Sequence, residues 1–474
     1  MEKISIFELY KVGIGPSSSH AMGPWNAAIS FLNRIKEKNK TLDNIQSISI
    51  TLFGSLAKTG PGHGTVKAIM MGLMGFNIKT FQSSQLQKHI KKITLMKSIK
   101  LLNKKEINFD IGRDIIFNYD DKELKYPNTL QFSVCFKNNK LFSSIYYSIG
   151  GGFIKYKGQP KAIDRKSDIP YPIQTAKEMI AWCESTNKTI DQLSMANEMK
   201  WKKKNEINLE LELIWEVMQN SIFEGCTTNG ELPGGLKVKR RAFNLCRDLL
   251  YEKQYNNKDQ WVQLIKKQSN DIDNVTKWVS CFALAVNEVN ASYGRIVTAP
   301  TNGAAGVIPA VIMYFYCFNK NVNIKKIKLF LLVAGEIGML FKKGATISAA
   351  SGGCQAEIGV SSAMAAAGLT FSLGGSIYQI LMAAEIAMEH HLGLSCDPIG
   401  GLVQIPCIER NTMGAMKAIT AAQLAIHSNP KDAKVTLDDV IKTMWETAKD
   451  MNEKYKETSE GGLALRISVN QPEC

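Results

Sequence analysis

The 474-residue sequence has no C-x-x-C pair among its ten cysteines, no charged segment leading into an apolar run at its N-terminus, and only six histidines. The first absence removes the short-spaced zinc and redox motifs. The second removes a secretory leader, so reduced thiols and a cytoplasmic protein are expected. A compact basic stripe is missing too. The formal charge is +15, yet Ala291 to His427 holds nine basic and six acidic residues, +3 of that total, and the remainder is spread among many Asn. Dispersed charge without interleaved aromatics excludes a nucleic-acid partner. Two uncharged stretches, Ile296 to Asn319 and Ile358 to Ala384, are long enough for a membrane span but are built from Gly, Ala, Ser, Thr, Asn and Gln rather than Leu and Phe. Such composition inserts weakly, so both are read as buried core helices, with no membrane association. No glycine-rich phosphate loop stands with an identifiable Schiff-base lysine, so nothing calls for PLP.

What is present is the composition of a folded protein, 45% hydrophobic and 21% charged, long enough for two or more domains. Gln46 to Phe53 alternates as a strand does. Leu130 to Ile149 reads as a hairpin turning at Lys137-Asn138-Asn139-Lys140. Between them lie the helical patterns Ala21 to Ile35 and Val66 to Leu73. Residues 1–155 are therefore expected to form an α/β (α+β) domain. The polar stretch Lys155 to Gln174, with Pro160, Pro170 and Pro172, marks the boundary, and 156–185 is taken as a linker. From 186 to 474 the pattern is helical, as in Glu206 to Glu224, Trp278 to Val289 and Ile324 to Leu340, which predicts an all-α catalytic domain. Sixteen of the 36 glycines lie between Ala291 and His427, where close helix packing or backbone approach to a ligand would need them.

Cys354, Cys396 and Cys407 each stand among Gly, Pro and small residues, in SGGCQAE, GLSCDPIGG and QIPCIERN. Their spacings of 42 and 11 residues match no short zinc or ferredoxin pattern. On the residues alone, three ligands on irregular backbone and three small buried packing residues are both open.

Longer runs carry a resemblance. VTAPTNGAAGVIPA (Val297 to Ala310), AMEHHLGLSCD (Ala387 to Asp397) and PIGGLVQIPCIERNTMGAMK (Pro398 to Lys417) resemble the α domain of the bacterial iron-sulfur L-serine dehydratases. GIGPSSSHAMGPWNAA (Gly13 to Ala28) and GSLAKTGPGHGT (Gly54 to Thr65) resemble that family's β domain, and the match covers nearly the whole chain in the order β then α. The resemblance implies a 4Fe-4S cluster held by Cys354, Cys396 and Cys407, one iron open as a Lewis acid, and L-serine as the substrate. It further implies that the C-terminal Cys474 folds back as a reversible fourth ligand and autoinhibitory latch. Thirteen residues from Gly461 to Cys474 reach at most about 45 Å, so distance is no obstacle. The other six cysteines fall outside these motifs and are read as packing.

Among the histidines, His63 in Gly60-Pro61-Gly62-His63-Gly64-Thr65 is the favoured proton acceptor, provided the N-terminal domain closes over the cluster. Ser17, Ser18, Ser19 and His20 precede a helical pattern, and hydroxyls with free N–H groups at a helix start bind carboxylates. Thr301, Asn302 and Gly303 form a second such group. Arg410 and Lys417 are candidate carboxylate clamps, with Glu409 or Glu389 as alternative partners. His390 is expected to support the cluster from behind its ligands.

Three departures from the family pattern stand out: Val66 in place of an acid, Ser351 and Gly352 in place of an acidic and an apolar residue, and His391 in place of an amide. The first bears on how His63 is oriented, and the second on the charge near Cys354. Two alternatives therefore stay open, a cluster hydro-lyase for another hydroxy acid and a non-catalytic serine or redox sensor. A homodimer is expected on frequency alone.

Overall fold

A computed structural model of the chain describes residues 4–39, 41–120, 126–159 and 169–467. Among the described residues the N-terminal half contributes eight strands: β1 (Val12–Ile14), β2 (Ile45–Gly54), β3 (Ser98–Leu101), β4 (Lys105–Asn108), β5 (Ile115–Asn118), β6 (Asn128–Phe136), β7 (Leu141–Ser148) and β8 (Ile154–Tyr156). Five of them form one sheet in the order β5-β2-β6-β7-β8. β2 is parallel to β5, and the remaining pairings are antiparallel. Alternation in β2 sends Ile48, Ile50 and Leu52 to one buried face. The helix Gly23–Asn39 covers that face with Ala27, Ala28, Phe31, Leu32 and Ile35, a spacing that places them on one side of a helix. Phe31 stacks on Phe132 at 5.1 Å between ring centres.

The expected strand over 46–53 and the hairpin over 130–149 both form. The β3–β4 hairpin and the short β5 were not anticipated. Each is only four residues long, too short to display a period.

The C-terminal half is helical. At its centre the helix Ile358–Ser372 is buried along nearly its whole length, against Val307–Phe318, Ile324–Gly344, Ile377–Glu389 and Cys407–Ile426. Small residues make that possible: a Cβ on Gly368 would lie 2.7 Å from the Phe330 ring. Both uncharged stretches are largely buried, but the first, expected as a helix throughout, is helical only over Val307–Phe318, after a strand end and a loop. Ile358 to Ala384 is two helices broken at Gly374-Gly375, and among the described residues no helix is long and apolar enough to cross a membrane. The stretch 156–185, expected as a linker, carries the helix Ala176–Thr186, whose Ala176 and Met179 join the helical core.

The two halves interlock. β1 pairs antiparallel with β9 (Arg295–Val297), a strand of the helical half, in the register Val12↔Val297. The residues before β1 also pack away from their own sheet, with Ile6, Phe7, Leu9 and Tyr10 in the helical core. Glu198 anchors them: Ser5 Oγ donates to Oε2 at 2.7 Å and the Ile6 amide to Oε1 at 2.8 Å. Burial pushes the Glu198 carboxyl up to about 7.

Candidate active site

The three cysteines singled out by context come together from three irregular segments, and all are buried. Cys354 opens a short 3-10 turn after Gly353, whose φ of +69° and 2.7 Å clearance to the Leu394 carbonyl exclude a side chain. Cys396 lies in the loop after the helix Ile377–Glu389, and Cys407 begins the helix Cys407–Ile426. The peptide bonds Gly15–Pro16, Ala299–Pro300 and Ile405–Pro406 are cis, and each stands just before one of the segments that meet here.

Arg410 binds this group rather than standing free. Its Nη1 donates to Cys354 Sγ at 3.2 Å and to the Ser395 carbonyl at 2.7 Å, and its Nη2 donates to Asp397 Oδ1 at 2.9 Å. A hydrogen bond from Cys396, aided by the Arg410 charge, holds the Cys354 thiol down at about 7. The Cys354 neighbour raises Cys396, and burial raises Cys407, both well above the ordinary thiol range. The alternative partners expected for Arg410 are engaged elsewhere, Glu409 with Arg241 at 2.8 Å and Glu389 with His390 at 3.4 Å.

A segment near the C-terminus completes the enclosure. The Cys396 amide donates to the Tyr455 carbonyl at 2.7 Å, and the Glu457 amide returns a bond to the Cys396 carbonyl at 2.9 Å. Ser459 Oγ donates to the Pro398 carbonyl at 2.7 Å, and the Leu463 amide to Asp397 Oδ2 at 2.8 Å. Glu457 is thereby carried into the site. Sequence reading missed it, because an acid in the polar run KYKETSEGG has no periodic or motif signal until the chain folds over Cys396. Cys474 lies outside the described residues.

His63 faces the same carboxylate from the N-terminal half. The half is closed over the cysteines, since a Cβ on Gly62 would lie 2.7 Å from both the Gly400 and Gly401 carbonyl oxygens. His63 Nδ1 lies 3.0 Å from the Thr59 carbonyl, an acceptor only, so Nδ1 carries the proton in the neutral ring. Nε2 is then the free lone pair, 3.5 Å from Glu457 Oε1. Burial lowers the His63 pKa to about 4 and raises that of Glu457 well above the carboxylate range. Glu457 Oε2 is buried with no hydrogen-bond partner among the described residues. Val66 lies on the helix Thr65–Leu73 and packs into the N-terminal core; Thr59, Glu457 and the stacked ring of His20, 4.4 Å away, orient His63.

Ser17 caps the turn Ser18–Met22 by accepting from the His20 amide at 3.2 Å. Ser19 Oγ lies 2.9 Å from His20 Nδ1, while Ser55 Oγ and Thr59 Oγ1 lie 2.9 and 3.0 Å from Nε2. Ser55 and Thr59 spend their own protons on the Glu457 and Ser55 carbonyls. His20 therefore donates from Nε2 and accepts at Nδ1, and the serine run is a wired support as well as a helix start.

Thr301 and Asn302 are buried beside this network. Asn302 Nδ2 donates to the Ile14 carbonyl at 3.1 Å and to Asn290 Oδ1 at 3.0 Å. Its Oδ1 has no hydrogen-bond partner among the described residues, and the Thr301 hydroxyl faces the Glu357 carboxyl. Gly303 admits Glu357, whose Oε2 would be 2.5 Å from a Cβ there. Burial and the Cys354 charge push the Glu357 carboxyl up to about 8. Asn411 ties this loop to the cysteine helix, donating to the Gly303 and Cys407 carbonyls at 2.7 and 2.9 Å.

Two expected residues are not brought in. Lys417 lies ten residues beyond Cys407, about 15 Å along its helix, and its Nζ donates to the His390 carbonyl at 2.8 Å. His390 is exposed, because its position ends the helix on the solvent side. The inward histidine is His391, buried with Nδ1 2.7 Å from the Ala387 carbonyl.

The family model described as "Serine dehydratase beta chain" matches residues 5–159, and "Serine dehydratase alpha chain" matches 185–464. L-serine dehydratase TdcG of Escherichia coli (strain K12) is 44% identical over 98% of this chain and 99% of its own length. The L-serine dehydratases of Streptomyces coelicolor and Haemophilus influenzae are each 42% identical, over 98% of this chain and 99% and 100% of their own. With two family models and full-length relatives agreeing on β-then-α order, the chain belongs to the serine dehydratase family.

Proposed function

We propose that the chain converts L-serine to pyruvate and ammonia, using a 4Fe-4S cluster held by Cys354, Cys396 and Cys407. The donor set fits such a group: three buried sulfurs from a short 3-10 turn, a loop and a helix start, one of them hydrogen-bonded by Arg410. When bound, the cluster supplies a Lewis acid for the substrate's hydroxyl and carboxylate oxygens.

The carrying observation is His63 Nε2 standing 3.5 Å from Glu457 Oε1 across the junction of the two halves, where burial disfavours the charged form of each. His63 Nε2 takes the α-proton. Glu457, kept protonated by burial, gives its proton to the departing hydroxide, so water leaves. Transfer from His63 back to Glu457 over their 3.5 Å separation restores both groups. The released aminoacrylate tautomerises to the imine and takes up water to give pyruvate and ammonia. Thr301 and the unpartnered Asn302 Oδ1 are buried polar groups suited to the substrate's carboxyl and ammonium ends. Ser17 and Ser19 hold His20 behind His63. Arg410 acts on the cysteine end through Cys354 and Asp397.

The reading extends to Cys474 as a displaceable fourth ligand and to a cytoplasmic homodimer. Deleting Cys474 should change the resting spectrum and shorten any activation lag, and light scattering should give twice the chain mass. Anaerobic reconstitution with iron and sulfide tests the main claim. Pyruvate formation from L-serine should track cluster absorption and vanish in air. A cluster-replete protein that binds serine without releasing ammonia would sink it in favour of a sensor, and turnover only of another hydroxy acid would sink it in favour of a different hydro-lyase.

A further inference from the structure

A second set of thiols lies in the helical half, outside the family's cysteine motifs. Cys226 at the end of the helix Lys204–Thr227, Cys246 in Ala242–Leu249 and Cys281 in Ile272–Ala291 are all buried, and their sulfurs lie within 4.8 Å of one another. Cys226 Sγ is 3.7 Å from Cys281 Sγ. A metal–sulfur distance of about 2.3 Å in tetrahedral geometry sets the sulfur–sulfur edge at about 3.8 Å. Three helices thus deliver three sulfurs at the spacing of one face of a tetrathiolate-like site.

The surroundings are those of a ligand set. The Trp261 indole N–H donates to Cys246 Sγ at 3.4 Å, and the Tyr255 hydroxyl also hydrogen-bonds this sulfur. Donors aimed at a sulfur delocalise thiolate charge, as the outer partners of metal ligands do. Cysteines that merely fill a core need neither mutual contact nor polar donors, and a disulfide would use two sulfurs and strand the third. A cavity of about 430 Å³, lined by Cys226, Phe243, Arg247 and Tyr255 among others, borders one of the three cysteines.

We propose that Cys226, Cys246 and Cys281 bind one soft divalent ion of the zinc class, with the fourth coordination position open. Binding displaces three thiol protons and leaves a site of net charge −1. The site stands apart from the 4Fe-4S reading and does not depend on it.

Cobalt(II) is a direct spectroscopic probe. The full-length chain with Cys354, Cys396, Cys407 and Cys474 all changed to Ser removes the thiols of the cluster reading and leaves only Cys135, Cys183 and Cys317 beside the proposed three. Anaerobic addition of cobalt should give one ion per chain with a thiolate-to-metal charge-transfer band, displaced by equimolar zinc. In the further variant Cys246→Ser, affinity should fall at least tenfold. No band at equimolar cobalt, or a band unchanged by Cys246→Ser, overturns the site. If Cys246→Ser does not fold, the zinc absorption edge of the zinc-loaded background protein decides: three sulfur neighbours sustain the proposal and fewer overturn it. Because this background cannot hold the cluster, its result is independent of whether the serine dehydratase reading survives.

Discussion

His63 Nε2 and Glu457 Oε1 stand 3.5 Å apart although 394 positions separate them, one supplied by a glycine-rich turn of the N-terminal half and the other by a segment near the C-terminus. In the proposed reaction they act as a proton acceptor and a proton donor that regenerate each other.

Replacing His63 with Ala should lower kcat by about 10²- to 10⁴-fold while leaving cluster absorption intact. Glu457→Gln keeps the shape but cannot return the proton, so a loss of at least about 10²-fold in steady-state turnover is expected. Pyruvate formation measured beside the visible spectrum checks both. Near-normal turnover in either variant would remove that residue from the proton pathway.

Arg410→Ala strips the buried Asp397 of its ionic partner. Truncating one member of a buried pair costs about 3–5 kcal/mol, which should appear as a lower urea midpoint at unchanged m-value. Iron retained per chain should fall as well, because Cys354 Sγ loses its guanidinium contact. Arg410→Lys, with charge but no fork, should recover only part of the iron.

Gly62→Ala tests the closure of the two halves. Its Cβ would meet two backbone carbonyl oxygens at 2.7 Å, atoms that cannot rotate away. Stability should drop by about 1–3 kcal/mol, and kcat should fall more than this implies, because the His63 turn is pushed from the cysteine loops. An activity loss no larger than the unfolded fraction would show that closure is not required.

The buried histidines set an acid limit. His391 is neutral in the folded chain, its pKa lowered to about 4 by burial, whereas in the unfolded chain it titrates near 6.5. The unfolded state therefore takes the proton first: the contribution is complete above pH 6.5 and is lost as pH falls toward 4. One such group is worth on the order of 3 kcal/mol over that window. His391→Asn should flatten the fall in Tm between these pH values, and equal slopes in the two proteins would refute the assignment.

The sequence alone carried what local pattern and motif encode. Alternation in β2 and the spacing of Phe31, Leu32 and Ile35 mark buried faces because each depends on a period of a few residues. Gly, Pro and small residues around Cys354, Cys396 and Cys407 mark irregular backbone, and those three cysteines do converge. What folding alone decided is which distant groups meet. Glu457 has no local signature and comes to lie beside His63 because its segment is clamped on Cys396. Lys417 has the right chemistry and a nearby sequence position, yet helix rise carries it away. Cys226, Cys246 and Cys281 are unremarkable in sequence, 20 and 35 positions apart, and touch because three helices cross there. Periodicity is written in consecutive residues, but convergence depends on how whole elements pack, and that is set by the core.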